Sequence, residues 1–349
     1  MNTLAAIRHR LPDGTLGEIL ESVGILTAAV LVGLVIVVLG GGNPAAAVSA
    51  IVYGSVGTPV NLAGTLVKTV PLLLTGLSVA IAFRAGLFNI GGEGQLYAGA
   101  VAAAWLGAMD LGLPRLLHLV LVFVSAGVFG GLWGGIAGWL KARRGVHEVI
   151  NTIMLNYIAI YASDYLIRGP LSAGRHTTRT RDIVHEASLP VIWEAPPMQV
   201  SWGIIIALLL CAACAWMLFR TPFGFDFRTV GKNTDAADTV GIRSGRIVVI
   251  AMVLAGGFAG IAGCIEITGV HHTMYAQFSP GYGFDGIAVA LLGRSHPVAI
   301  IPAAFLFGGL RTADRWLQLS AGVPRDIVII IQAIAILAVG LKTARAKRT

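Results

Sequence analysis

The stretch FRAGLFNIGGEGQ, residues 83–95, sets an arginine, an asparagine, a glutamate, a glutamine and four glycines between two long apolar segments. Lipid cannot satisfy peptide N–H and C=O groups, so backbone that leaves a helix at membrane depth must be buried in protein or line a water-filled cavity. A break of this kind marks helices that stop inside the bilayer and flank a pathway. Phe88, Asn89, Glu93 and Gln95 are therefore placed along an aqueous route or against another helix.

The flanks justify reading the break at membrane depth. Of the 349 residues, 56% are hydrophobic and 12% charged, with a mean hydropathy of +0.80; soluble domains carry about a quarter charged residues. No Asp, Glu, Lys or Arg occurs in 22–67 or in 116–140, and roughly 20 apolar residues suffice to cross a bilayer. The 45 glycines, among them Gly130, Gly131, Gly134, Gly135 and Gly138, suit close helix contacts. The basic N-terminal segment leads into apolar sequence without a small-residue cleavage site and reads as the approach to an uncleaved first span.

The expected fold is an all-α polytopic membrane protein, a single transmembrane domain over 1–349. Its ten spans lie near 22–39, 60–83, 95–109, 116–140, 147–167, 200–219, 247–269, 284–293, 297–310 and 326–341. Basic clusters then share one side: Arg8 and Arg10; Lys141, Arg143 and Arg144; Arg220, Arg228, Lys232, Arg243 and Arg246; Lys342, Arg345, Lys347 and Arg348. By the positive-inside rule that side is the cytoplasm. The net charge of +8 thus reports orientation and gives no reason to invoke nucleic acid. The cytoplasmic parts are 1–21, a loop at 220–246 and the tail 342–349. The external loop 168–199 carries Arg168, Arg175, Arg179 and Arg181 against the orientation rule. Segments 284–293 and 297–310 are too short to cross as straight helices. An echo between "LLTGLSVAIAFRAGLFNIGGEG" and "VLAGGFAGIAGCIEITGV" fits an inverted repeat.

Further polar residues fall on helical faces. In "GVHEVINTIMLNYIA", Glu148, Thr152 and Asn156 stand four apart, with His147 and Asn151 on the adjacent face. Such a stripe seldom meets lipid, and glue between helices is an alternative use of Asn151, Thr152 and Asn156. Glu266 sits near the end of the seventh span and Asp285 opens the eighth; intramembrane carboxylates are costly unless paired. Lys68 is expected to snorkel to the outer interface. In 220–246, Asn233 or Thr234 can cap a short helix over 235–240 with Asp235 in its first turn and Gly241 ending it, a docking device parallel to the membrane.

Other chemistry has little support. Cys211 and Cys214 lie in an apolar run with no second pair for a metal. Asp226 stands where a phosphate loop needs its first glycine, and Asn233 follows Lys232 where that loop needs Ser or Thr. Adjacent His271 and His272 do not make a ligand set.

Four blocks, "PLLLTGLSVAIAFRAGLFNIGGEGQLYAGA", "GVHEVINTIMLNYIA", "GKNTDAADTVGI" and "GYGFDGIAVALLGRSHP", resemble the permease subunits of ABC importers. The similarity is to the branch that works with basic-membrane-protein-type lipoproteins in nucleoside uptake, within the ribose and branched-chain amino acid permease group. It covers 60–341, departing at Gly92 and Asp226, where more variable residues are expected. The resemblance implies about ten spans like those of vitamin B12-type importers and a location in the bacterial plasma membrane. Its implied partners are a second, related permease, an ATP-binding subunit and an external solute-binding lipoprotein. No cofactor is expected on this chain; ATP and Mg belong to the partner ATPase. Asn233, Asp235, Ala236, Ala237, Gly241 and Ile242 would contact that ATPase, and the external arginines would meet the lipoprotein. A sugar or branched-chain amino acid is an alternative solute. The competing class is an ion-coupled secondary transporter using Glu93 and Glu266; a membrane enzyme lacks a nucleophile–base pair.

Overall fold

The computed structural model describes residues 35, 38, 43–174 and 177–321. The expected span at 326–341, nearly all of that at 22–39, the tails 1–21 and 342–349, and Arg175 fall outside the described residues. The chain divides by its packing into the unit Ser55–Thr312 and a second unit from the chain on either side of it.

In the second unit, α1 (Pro44–Val56) sets Gly54 2.7 Å, measured from the Cβ it lacks, from the Ala313 backbone, while Tyr53 and Trp316 meet edge to face at 4.9 Å. This helix adds to the expected spans at 22–39 and 60–83, which left the chain between them unassigned: the uncharged run is long enough for a further helix, and Pro44 suits its first turn.

At the centre of the main unit lies α2 (Pro59–Arg84). Thr58 caps it by accepting from the Asn61 amide at 3.1 Å, and Pro59 starts it. Leu72, Leu73, Leu74, Leu77, Val79 and Ile81 are all buried, as expected of a helix apolar all round. The chain then breaks over 85–91 and resumes as α3 (Gly92–Gly107), followed by α4 (Arg115–Arg144) and α5 (Glu148–Arg168). Helices α6 (Gly203–Arg220), α7 (Pro222–Lys232), α8 (Thr234–Thr239) and α9 (Ser244–Glu266) come next. A π-turn over Ile267–His271, α10 (Tyr282–Leu292) and α11 (Pro297–Ala321) complete the described chain.

The most extensive packing joins α4 to α9. Gly130, Gly134 and Gly138 of α4 face Gly256, Gly260 and Met252 of α9, so closely that a Cβ at any of these glycines would run into the facing helix. Repeats of four between small residues bring backbones together where no hydrophobic drive between helices exists. Gly99 of α3 meets the same Gly260.

Among the described residues, four helices are long and apolar enough to cross a bilayer: Pro59–Arg84, Arg115–Arg144, Gly203–Arg220 and Ser244–His271. The chain is a polytopic, mostly helical membrane protein. The short eighth segment is there as α10, but the ninth is corrected: α11 runs 25 residues through Pro302 and past Arg311. The expected boundary at 310 falls just before Arg311, whose charge Asp285 neutralises at 2.6 Å. The all-α expectation is also adjusted, because the loop at 168–199 folds. His185–Ala187 form a 3-10 turn, and β1 (Val191–Ala195) pairs antiparallel with β2 (Met198–Ser201), Ala195 and Val200 packing on Ala63 of α2. The loop at 220–246 is mostly helix, as α7 and α8.

Candidate functional site

The break begins where α2 ends. Arg84 Nε donates to the Ser295 carbonyl at 2.9 Å, and the chain turns at Gly86 with φ +78°, a conformation that suits glycine. Gly86 lies against Gly231 of α7, and a Cβ on Gly231 would collide with the Arg84 carbonyl. Two glycines thus press the membrane break against the segment that leads into α8.

Beyond the turn, Asn89 Nδ2 donates to Gln95 Oε1 at 3.0 Å and Gln95 Nε2 returns a bond to Asn89 Oδ1 at 3.1 Å. The Gly91 amide also donates to Asn89 Oδ1, at 2.9 Å, and Asn89 Nδ2 reaches Ser78 Oγ at 3.3 Å. From α5, Asn156 Oδ1 accepts from the Gly94 amide and Asn156 Nδ2 donates to the Ile90 carbonyl, both at 2.8 Å. Asn89, Gln95 and Asn156 are fully buried, and their polar atoms satisfy one another and the broken backbone. Thr152 lies beside this knot, its hydroxyl bonded to the Glu148 carbonyl at 2.8 Å and its Cβ 3.1 Å from where Gly91 would carry one. Asn151 stands apart, its amide 3.5 Å from the Ala137 carbonyl, and Phe88 is exposed, its ring tilted on Phe83.

A second junction lies where α3 and α10 begin. Gly92 and Gly283 touch without side chains between them, and Glu93 Oε2 accepts from the Gly283 amide at 2.7 Å. A carboxylate suits that position because helix N-termini present unpaired N–H groups and partial positive charge. Eleven residues of α10 rise about 16 Å, half of a ~30 Å core. Asp285 in its first turn pairs with Arg311 Nε at 2.6 Å, and Arg311 also donates to the Pro280 carbonyl at 3.0 Å. The Lys68 ammonium, expected to snorkel, is held by the Arg311 carbonyl at 2.8 Å. Glu266 is separate from both junctions: Oε2 lies 3.3 Å from His271 Nε2, and Oε1 is buried without a hydrogen bond among the described residues.

On the basic side, Asn233 is the cap of α8, accepting from the Ala236 amide at 3.0 Å, and Gly241 ends the segment at φ +87°. Asn233, Asp235, Ala236 and Gly241 are exposed and Ile242 is half-buried, but Ala237 faces inward. Val240, 71% exposed, is the apolar group that polarity-based reading passed over. Asp238 accepts from Ser244 N and Oγ at 3.0 and 2.8 Å, which holds its carboxyl below the usual range. On the opposite side, Arg168, Arg179 and Arg181 are exposed, with Arg179 3.1 Å from Asp182. This loop is tied down: the Thr180 amide donates to the Met274 carbonyl at 2.8 Å and that of Ile183 to the His272 carbonyl at 2.9 Å. Ser78, Gly283 and Arg311 carry no signal in the sequence because their roles arise only from partners far along the chain, and Gly231 stands out there only through the failed phosphate-loop pattern.

The sequence pattern describing the branched-chain amino acid transport system permease component matches residues 61–340. The chain belongs to this permease family. Curated family members include the guanosine ABC transporter permease protein NupP of Bacillus subtilis (strain 168), 40% identical over 87% of this chain and 88% of its own. The nucleoside ABC transporter permease protein NupB of Lactococcus lactis subsp. cremoris is 35% identical over 89% and 88%. The glucose ABC transporter permease protein TsgB13 of Haloferax volcanii is 35% identical over 89% and 84%. This permease is accordingly the membrane subunit of an ABC importer, a transport component and not an enzyme.

Proposed function

We propose that this permease forms half of the translocation pathway for a nucleoside in the bacterial plasma membrane. It works beside a second, related permease, above an ATP-binding subunit that holds ATP and Mg and below an external solute-binding lipoprotein. The observation that carries the solute class is the similarity to permeases named for guanosine and nucleosides over nearly their whole lengths. A sugar is the second reading, favoured by the glucose permease at equal identity to NupB.

The coupling segment is α8 with its flanks, Asn233, Asp235, Ala236, Gly241 and Ile242 meeting the ATPase while Ala237 anchors the helix from beneath. ATP binding closes the ATPase pair, α7 moves with α8, and the Gly231–Gly86 contact carries the motion to the break. Glu93 at the α3–α10 junction, with Phe88, Asn151, Thr152, Glu266 and Asp285, borders the path; Asn89, Gln95 and Asn156 hold the break in shape as the states exchange. The external Arg168, Arg175, Arg179 and Arg181 receive the lipoprotein. One permease domain over 1–349, with ten spans arranged as in vitamin B12-type importers, accommodates these parts. Two long helices, α2 and α9, each followed by a break and a shorter helix, support the inverted repeat.

The experiment is purification of the intact complex, identification of the solute retained by its lipoprotein, and uptake in proteoliposomes. A bound nucleoside taken up only with ATP is the expected result. A retained sugar selects the second reading, and uptake abolished by dissipating the proton gradient alone overturns the ABC mechanism.

A further inference from the structure

We propose that the cleft between the basic ends of α4 and α9 is a binding site for an anionic phospholipid headgroup. Arg143, Arg243 and Arg246 line it together with Trp139, Val249 and Ile250. All three arginines are exposed, and none has an ion pair or side-chain hydrogen bond among the described residues. The one carboxylate lining the cleft, Asp238, is committed to Ser244 through both oxygens. Three guanidinium groups against one carboxylate leave the cleft with a net positive charge, and arginines without an ion-pair partner complement a phosphate, with which they form bidentate hydrogen bonds.

What surrounds the arginines favours a lipid over a protein. On α4, Val128, Leu132, Ile136 and Trp139 are exposed at helical spacing, Leu132 by 63%, and the next step of that stripe is Arg143. On α9 the same face reads Val253, Ile250, Arg246, with Val253 exposed. Two apolar tracks on adjacent, tightly packed helices thus run out of the hydrocarbon and end at one level in arginine, and Trp139 sits where indole rings prefer the interface. The floor between them is low, because Gly131 and Gly135 are the α4 residues beside Val253. Acyl chains on the tracks and a phosphodiester at their ends describe an anionic two-chain lipid such as phosphatidylglycerol. Basic pockets between helices on the cytoplasmic side bind such headgroups, with each arginine contributing roughly a fivefold gain in affinity.

The test uses the assembled transporter in nanodiscs of equimolar phosphatidylcholine and phosphatidylglycerol, with retained lipid read by native mass spectrometry. Wild type should hold phosphatidylglycerol in preference to phosphatidylcholine. R143Q/R243Q/R246Q should lose that preference by about a hundredfold, while the triple lysine variant keeps most of it. Added inorganic phosphate should not displace the lipid, since it lacks the chains. Equal retention of both lipids, a glutamine variant with unchanged preference, or displacement by phosphate alone overturns the assignment. So does release of the ATP-binding subunit or second permease from the glutamine variant with lipid retention unaltered, which would make the cleft a protein contact. Should the glutamine variant fail to assemble, R246Q alone is compared with R246K for a roughly fivefold difference.

Discussion

At the scale of single residues, the polar groups of the membrane interior form pairs whose cost of separation is predictable. Arg311 and Asp285, mostly shielded at 2.6 Å, can be removed together with far less harm than either alone, because a lone buried charge keeps its desolvation penalty. R311M should lower the unfolding free energy of the detergent-solubilised complex by about 3 kcal/mol, and D285N/R311M should recover most of it; additive losses would show that the pair is not coupled. His296 gives a pH-dependent counterpart at the turn between α10 and α11. Burial, and then the positive charge of Arg84, push its pKa below the ordinary value, while its ring stacks on Phe219 at 4.8 Å. The native state therefore binds this proton less readily than the unfolded chain, so stability is unaffected well above the unfolded pKa of about 6.5 and declines as pH falls through it. The decline levels off below the depressed native pKa. H296N should flatten that part of the profile, so the thermal midpoint of wild type minus that of the variant should be smaller in acid than at pH 8; a difference that is the same at both ends would remove His296 from the pH dependence. Residue-level reading recognised Asn89, Glu93, Gln95 and Asn156 as special because polar side chains in an apolar run need a reason. It left open whether they serve the solute or the backbone, since that depends on partners such as Ser78 and the Ile90 carbonyl, which sequence spacing does not reveal.

At the scale of elements, helices with strong punctuation were legible and those without it were not. Charges at Arg84, Lys141 and Arg168, and glycines at 145 and 241, mark ends that the structure keeps within a few residues. α1 and the second half of α11 were missed for different reasons: one lies in an uncharged run where only Asn43 and Pro44 mark its start, and the other passes an arginine that a distant carboxylate neutralises. The short α7 hid inside a loop defined by its charges, although Thr221 and Pro222 are a cap and a first-turn residue, Thr221 accepting from the Gly224 amide at 3.1 Å. It is through α7 that a testable consequence arises. G231A puts a methyl into the Arg84 carbonyl, and backbone on both sides leaves no flexible side chain to yield. Uptake should fall tenfold or more while ATP hydrolysis by the assembled complex persists, as it should for charge reversal at Asp235. Unchanged coupling in G231A would remove the contact from the transmission path. If the loop at 168–199 receives the proposed lipoprotein, neutralising Arg168, Arg179 and Arg181 should weaken lipoprotein binding severalfold at low salt and little at high salt, by screening. An unaltered affinity at low salt would mean that the loop docks nothing through its charge.

At the scale of the whole molecule, the two breaks and the basic side belong to one arrangement. The break over 85–91 stays closed because Asn89, Gln95 and Asn156 replace the hydrogen bonds that helix would have supplied, and the chain entering α10 is held by Glu93 at the Gly283 amide and by Arg311 at the Pro280 carbonyl. Neither device contains a group that releases energy, and both touch elements anchored on the basic side: Gly86 against α7, and Arg84 against the Ser295 carbonyl at the end of α10. Work must therefore enter from outside the chain, as membership of a permease family requires. Purified without its partners, this permease should hydrolyse no ATP above a protein-free control. In proteoliposomes the complete complex should accumulate its solute with ATP inside the cytoplasmic compartment whether or not an uncoupler collapses the proton gradient. E93Q separates the two energy sources further. It retains an acceptor for the Gly283 amide but cannot carry a proton, so an ABC permease should keep most of its uptake, whereas a proton-coupled carrier relying on Glu93 would lose accumulation altogether.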